Sequence, residues 1–481
     1  MAVGSSNSFD LVVLGAGTGG YTAAFRAAQL GLKVALVDED KIGGTCLHRG
    51  CIPTKALLES AAFTERIRHA KDFGIGVGEP AIDYARMAAR RDEVVTRMWK
   101  GLQTLVGKNK VTWVAGRGRL DGPTRVRVRQ APGEDGDAAG GSGERVLEAT
   151  DVILATGSRV KSLPGLEPDG KRIVTSDDVL RADRLPRDVI VVGAGAVGTE
   201  FASMYHDLGV GVTVLEYLPA IVPLEDREVS QALQRSFERR GIRVMTKARF
   251  DPKAVEVTKD GVCVEVGPEG GKTEEMRAEL MLVATGRAPN VEGLGLETTK
   301  AEIDRGFVKV DGHLRTRDPH LYAIGDLVGG LLLAHTAAHE GLTAVHTIAG
   351  DPDVHPIDYA EQPRATYTRP EIASIGLTEQ QCQERGLPYK VGKVPFLAIA
   401  KAVIVGEPEG FAKVIKQTET GDTLGVHVFG PHATDLIAEA SLAFELEAAP
   451  WEIGAATHPH PTLSEVVGEA AMAVDGRSIN F

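Results

Sequence analysis

Two stretches of the chain share one pattern of apolar, small and polar positions. Phe9 to Leu14 is apolar except for Asp10, the pattern of a short strand buried on both faces. It leads into Gly15-Ala16-Gly17-Thr18-Gly19-Gly20, a helix to about Leu30, and a strand Lys33 to Val37 ending at Asp38. Val189 to Val192 opens a second copy. It continues through Gly193-Ala194-Gly195-Ala196-Val197-Gly198, a helix to about Leu208, and a strand Val212 to Leu215 ending at Glu216. Gly15, Gly17, Gly20 and Asp38 map onto Gly193, Gly195, Gly198 and Glu216 at a constant offset of 178.

One such glycine run is weak evidence; two, each between strand and helix and each with an acid closing the next strand, are strong. The first glycine makes the tight turn, the second lets a pyrophosphate approach the backbone, and the third lets helix and strand pack closely. The phosphates face a helix N-terminus, and the acid accepts from a ribose diol. The pattern predicts an α/β protein with two Rossmann-like dinucleotide-binding domains. In the second copy no arginine follows Glu216 until Arg227, so a 2′-phosphate would meet a carboxylate with no nearby cation, and NAD is favoured over NADP.

Ala155-Thr156-Gly157-Ser158 and Ala284-Thr285-Gly286-Arg287 each end an apolar strand and read as points where the chain crosses between domains. Gln130 to Glu144, rich in Gly, Asp and Ala, reads as a surface hairpin or insertion with no assigned function. Past about Tyr359 the pattern changes. The alternation Gly425-Val426-His427-Val428-Phe429 before a helix near Asp435 to Glu447 predicts a separate α+β domain.

At 481 residues the chain exceeds one core, and two to four domains are expected. A 43% apolar and 25% charged composition is that of a globular protein in water. The net charge of −12 argues against nucleic acid or an anionic membrane as partner. Met1 to Ser8 is polar without a basic region, so no signal peptide is expected, and no run approaches the roughly 20 apolar residues of a membrane span. The expected location is the cytoplasm.

Against that background Cys46 and Cys51, in Gly43-Gly44-Thr45-Cys46-Leu47-His48-Arg49-Gly50-Cys51-Ile52-Pro53-Thr54-Lys55, carry most of the chemistry. Zinc is one reading, since four intervening residues suit a ligand pair. It needs two more ligands, and Cys263 and Cys382 are far apart in sequence, so no metal site is expected. A structural disulfide is disfavoured in a reducing compartment. A redox pair beside a dinucleotide leads. A helix start near Ile52-Pro53-Thr54 and a nearby lysine would both lower the Cys51 pKa. Near the C-terminus His458 and His460 each precede a proline, which favours extended backbone with both side chains on one side. Thr462-Leu463-Ser464-Glu465 also has the form of a capping box, so Glu465 reads equally as a helix cap or as a partner of a catalytic histidine.

With the first glycine run, the cysteine run, the second glycine run, Thr316 to Asp326 and His458-Pro459-His460-Pro461-Thr462-Leu463-Ser464-Glu465, the chain resembles the pyridine nucleotide–disulfide oxidoreductases over essentially its whole length. Within them it is most similar to the branch that oxidises dihydrolipoyl groups. The resemblance implies FAD in the first unit and NAD in the second. It implies domains at 1–155 and 286–356 for FAD, 156–285 for NAD and 357–481 for the dimer interface. Asp326 would hold the ribityl chain of FAD, and Leu332-Leu333-Ala334-His335 would lie along its ring system. Lys55 would approach the flavin, Glu200 the nicotinamide side, and Gly118, Thr156, Gly157, Ser158 and Gly286 would complete the cofactor contacts. Cys51 would face the flavin, and Cys46 would exchange with substrate. His460 would be the acid–base, oriented by Glu465, with His458 in support and the dyad supplied by the other subunit of a homodimer with shared active sites. The implied partners are lipoyl domains of 2-oxoacid dehydrogenase or glycine-cleavage complexes, and none is expected within a chain that opens directly on the FAD unit.

Two features depart from the family pattern. Many members carry Asn-Val where this chain has His48-Arg49, and the expectation is that the added positive charge raises the thiolate fraction of Cys46. The Gln130 to Glu144 stretch is longer than the fold requires. Competing readings are a glutathione-type reductase, which normally carries NADP-reading arginines, and a mercuric reductase, which usually shows extra C-terminal cysteines where this chain ends Gly476-Arg477-Ser478-Ile479-Asn480-Phe481. A non-catalytic flavoprotein scaffold is a third, weakened by the presence of both cysteines, His460 and Glu465.

Overall fold

The computed structural model describes residues 7–129 and 143–481. Most of the Gln130 to Glu144 insertion therefore lies outside the described residues. The chain divides into two compact units, Met1–Thr54, Ala89–Val160 and Arg287–Tyr359 in the first, and Lys55–Ala88, Lys161–Gly286 and Ala360–Phe481 in the second.

In the first unit, strand β1 (Ser8–Leu14) is followed by helix α1 (Thr18–Gln29) and strand β2 (Val34–Asp38). Strands β1 and β2 pair in parallel, Leu11 opposite Val34 and Leu14 opposite Val37. The strand Glu144–Leu154 flanks β1 on its other side, also in parallel, and Thr112–Ala115 extends the sheet beyond β2. Side chains alternate across a strand. Thus Leu11 and Val13 join a core that contains Ala23, Ala24 and Ala27 of α1, while Val12 and Leu14 join another with Leu120, Val126 and Val152. Burial on both faces is why β1 reads as a nearly continuous apolar run. The short helix α2 (Gly44–Arg49) and the 18-residue helix α3 (Cys51–Arg68) then follow.

The second unit repeats the plan with strand β3 (Asp188–Val192), helix α4 (Ala196–Asp207) and strand β4 (Gly211–Leu215). Its parallel sheet runs Arg243–Met245, β4, β3, Leu280–Val283, Ile173–Val174. Val189 and Val191 face one core, Ile190 and Val192 another. The same unit contains an antiparallel five-stranded sheet formed by Arg364–Thr366, Glu371–Gly376, Thr423–Gly430, Phe411–Gln417 and Tyr389–Pro395. Helices α5 (Ala433–Glu445) and α6 (Glu465–Ala473) supply Ile437, Ala440, Val466 and Ala470 to its core. This is the α+β region expected past Tyr359.

The carboxylates of Asp226, Glu228 and Glu379 converge in this unit, an arrangement that could hold a cation. The cation is Lys413. Its side chain is fully buried, and its Nζ donates to Asp226 at 2.9 Å, to Glu228 at 3.0 Å and to Glu379. A buried ammonium is tolerable only when so paired. Among the described residues no helix is long and apolar enough to cross a membrane.

Candidate active site

The two glycine turns are built alike. Gly15 and Gly193 have φ of +108° and +99°, which only glycine adopts without strain, and a Cβ on Gly20 or Gly198 would fall 1.9 Å from the carbonyl oxygen of Gly15 or Gly193. The closing acids reach back to the turns. Asp38 Oδ2 accepts from the Ala16 amide at 2.6 Å, and Glu216 Oε2 accepts from the Ala194 amide at 2.6 Å. The second carboxylate oxygen of each accepts an amide two residues on, from Asp40 at 2.9 Å and from Leu218 at 2.7 Å. Gly17 and Gly195 start α1 and α4 with no side-chain cap, and a Cβ on either would meet nothing within 4 Å. Uncapped amides at a helix start, facing open space, fit the pyrophosphate of a dinucleotide. Both cofactor folds therefore suit the groups expected of them.

The fold also corrects one step of the sequence reasoning. Arg249, distant in sequence from Glu216, stacks its guanidinium 3.5 Å from the ring centroid of Tyr217 and donates to the Tyr217 carbonyl at 2.8 Å. A cation does stand near the end of β4, brought there by the strand pair that follows it. It is committed to Tyr217, with the Glu269 carboxylate 3.7 Å away.

The thiol pair is set against the first glycine turn. A Cβ on Gly44 would lie 2.6 Å from the Gly17 Cα, so only glycine lets α2 approach that turn closely. Cys46 lies within α2, and Cys51 is the first residue of the 18-residue α3, where helix amides favour a thiolate. The two side chains hydrogen bond to each other. The neighbouring Cys51 thiol and burial push the Cys46 thiol up, opposed by the Cys51 amide and the Thr18 hydroxyl. Cys51, at the start of α3, is the better placed of the two to carry the negative charge of the reduced pair. His48 and Arg49 do not bear on this. Arg49 donates to Asp40 at 3.0 Å, and His48 Nε2 lies 2.9 Å from the Ile42 carbonyl, with its ring edge-on to Trp99. The expected push of Arg49 on Cys46 is thus spent on a carboxylate.

Lys55 and Glu200 meet in the second unit, with Nζ 2.9 and 2.7 Å from the two Glu200 oxygens. Glu200 is 5% exposed and also accepts from the Tyr367 amide at 2.9 Å. In the first unit the Ser158 hydroxyl donates to Asp326, and Arg287 Nε donates to the Ser158 Oγ at 2.6 Å, with its guanidinium 3.5 Å from Asp326. Thr156 and Gly157 bond to Asn290. Gly118 lies on the strand Arg117–Leu120, and a Cβ there would press to 2.3 Å from Leu14. Gly286, at φ +119°, closes the second unit's sheet strand, and Leu332 and Leu333 lead into the helix Ala334–Ile348, which holds His335.

Sequence reasoning missed Glu340 on that helix. It is 1% exposed, and its carboxylate accepts from the Gly325 amide, beside Asp326, and from the Tyr359 hydroxyl at 2.8 Å. Burial, opposed by those two bonds, pushes its pKa up to about 7, with the Asp326 charge adding to the rise. A lone helix-face acid carries no sequence signal that separates this role from a solvated one.

The two C-terminal histidines diverge. His458 Nε2 lies 2.7 Å from Glu439 of α5 and the side chain is 13% exposed, whereas that of His460 is 72% exposed. The Glu439 pairing draws His458 inward, contrary to the expected shared face. His460 Nδ1 lies 2.8 Å from Glu465 Oε1, and Glu465 Oε2 accepts from the Thr462 amide at 2.8 Å. Glu465 is thus the partner of His460 and the acceptor for the Thr462 amide, while the helix starts at Glu465 itself, after Ser464, without a side-chain cap. Burial would raise its pKa, but the His460 and Thr462 bonds hold it below the usual range. An ionised Glu465 selects the Nδ1–H tautomer and leaves Nε2 of His460 to take a proton.

Two dinucleotide folds, one of them packed against a thiol pair, define an oxidoreductase that couples a dinucleotide to a disulfide. Residues 9–341 match the pyridine nucleotide-disulphide oxidoreductase model, and 362–471 match the dimerisation domain of the same family. The chain belongs to that family, whose cofactors are FAD and NAD. It is 45% identical to dihydrolipoyl dehydrogenase of Bacillus subtilis over 483 residues, covering 99% of this chain and 100% of the relative. It is 41% identical to dihydrolipoyl dehydrogenase of Zymomonas mobilis over 476 residues, with 99% and 100% covered. The crystal structure of LpdA from Mycobacterium tuberculosis superposes with a TM-score of 0.87 at 31% identity, covering 96% of this chain and 98% of that one.

Arg49→Val is expected to leave the pH profile of Cys46 alkylation unchanged, and a shift of that profile would return the guanidinium to the thiol. At Glu340 the folded chain keeps a proton that the unfolded chain releases between its ordinary value of 4.5 and about 7. The group's contribution to stability is full below pH 4.5 and is lost as pH rises through about 7. Thermal melts of wild type and Glu340→Gln across that range are expected to show the wild type losing ground to the variant as pH rises.

Proposed function

We propose that the chain reoxidises protein-bound dihydrolipoyl groups with NAD⁺, as dihydrolipoyl group + NAD⁺ → lipoyl group + NADH + H⁺. The observation that carries this reading is the Cys46–Cys51 pair, hydrogen-bonded at the start of α3 against the first glycine turn. The full-length similarity to dihydrolipoyl dehydrogenases supports the choice of substrate.

His460 takes a proton from one substrate thiol, and the thiolate attacks Cys46 in the Cys46–Cys51 disulfide, expelling Cys51 as a thiolate. The second substrate thiol then attacks the mixed disulfide. This releases the cyclic lipoyl disulfide and leaves Cys46 as a thiol, so that two electrons have moved from substrate to the cysteine pair. The place of Cys51 at the helix start suits it as the sulfur expelled as a thiolate. Bound in the two folds, FAD and NAD supply the two-electron relay from dithiol to nicotinamide. Gly15, Gly17, Gly20, Asp38, Asp326 and the 332–335 stretch would hold FAD, in domain segments 1–155 and 286–356. Gly193, Gly195, Gly198 and Glu216 would hold NAD in 156–285. Lys55, paired with Glu200, would place a positive charge at the flavin.

The 357–481 region would form a homodimer in which each chain lends His460 and Glu465 to the partner's thiols. High exposure of the His460 side chain, and of the apolar Leu442, Leu446 and Trp451 in the same region, supports this. The partner would be a lipoyl domain of a 2-oxoacid dehydrogenase or glycine-cleavage complex. A thiol pair that cycles through a disulfide suits the reducing cytoplasm.

Steady-state rates with dihydrolipoamide and NAD⁺ are expected to exceed those with glutathione and NADP(H); the reverse preference would overturn the assignment. His460→Gln is expected to lower kcat with dihydrolipoamide by about 10²- to 10⁴-fold, the usual size of a lost acid–base group. FAD binding should remain intact in that variant.

A further inference from the structure

The Lys55 ammonium has a second neighbour besides Glu200. Its Nζ lies 4.5 Å from the centroid of the Tyr367 ring, within the range of a cation–π contact. The ring is held in place through its backbone and its neighbour Arg369. The Tyr367 amide donates to Glu200 Oε1 at 2.9 Å, and the Arg369 amide donates to the Ser203 hydroxyl at 3.1 Å. The Arg369 guanidinium bonds to Asp207 at 2.9 and 3.0 Å. Glu200, Ser203 and Asp207 are spaced along one face of α4, so residues 367 to 369 are clamped to that helix at three points.

We infer that Tyr367 is a positioning residue, whose ring holds the Lys55 ammonium against Glu200. A lysine side chain has four rotatable bonds, and a carboxylate alone fixes its charge in one direction only. The ring supplies the other side and covers part of an ammonium whose side chain is 32% exposed. Most of that attraction is retained when the hydroxyl is removed, because it comes from the face of the ring; it is lost when the ring is replaced by an aliphatic group. The consequence for the reaction rests on the reading of Lys55 as the positive charge beside the flavin. A held ammonium delivers that charge at one place.

The test is pulse acylation of lysines in the FAD-loaded dimer with acetic anhydride, followed by peptide mass spectrometry. Tyr367→Leu is expected to raise Lys55 labelling roughly two- to fivefold, the equilibrium equivalent of a half-exposed cation–π contact. Tyr367→Phe should label like wild type. Lys413, fully buried in the same unit, should stay unlabelled in all three proteins. Unchanged Lys55 labelling in Tyr367→Leu overturns the inference, and so does a rise that Tyr367→Phe shares or that Lys413 follows. The flavin midpoint potential of Lys55→Met separates the two levels. A shifted potential supports the charge at the flavin, and an unmoved one overturns the reading of Lys55 and the claim that the held charge serves the cofactor.

Discussion

A carboxylate buried in a helix that covers a sheet is costly unless its charge is met, and at Glu200 it is met by the Lys55 ammonium and the Tyr367 amide. Three parts of the sequence depend on that one group. Lys55 lies on the helix that begins at Cys51, Glu200 lies on the helix that begins at the second glycine turn, and Tyr367 opens the region that matches the dimerisation domain. Replacing the carboxylate would remove the acceptor shared by the ammonium and the amide. The ion pair joins the helix that begins at Cys51 to the helix that begins at the second glycine turn.

The charge logic of the thiols is complementary. Cys51 stands at the helix start, where a negative charge is favoured, and Cys46 lies within α2. That difference suits the proposed exchange, in which the sulfur attacked and the sulfur that leaves would be distinct. The residues between them, His48 and Arg49, are turned to Ile42 and Asp40, so the departure from the family pattern is absorbed by surface pairing.

Much of this was legible in the sequence because it rests on local rules. The strand–glycine–helix–strand units were readable from periodicity and from the need for glycine at Gly15, Gly20, Gly193 and Gly198, where a side chain would collide with backbone. The helix start at Cys51 followed from the residues around it. Contacts between distant segments were not legible. Arg249 reaches Tyr217, Glu340 reaches Gly325 and Tyr359 reaches Glu340 through the fold, and no spacing along the chain announces them. Likewise His458 and His460 obey the same local bias, yet Glu439 of a separate helix draws one inward and leaves the other exposed.

The central claim is that the thiols of one chain work with the His460–Glu465 pair of another. It is tested most directly by mixing two inactive homodimers, Cys46→Ser and His460→Gln, and allowing their subunits to exchange. Shared sites require that each heterodimer regain one intact centre, combining wild-type thiols from one chain with wild-type His460 from the other, and about half the activity of a wild-type dimer. Heterodimers that form but show no more activity than the parents would contradict it, since each chain would then be serving its own thiols with its own histidine.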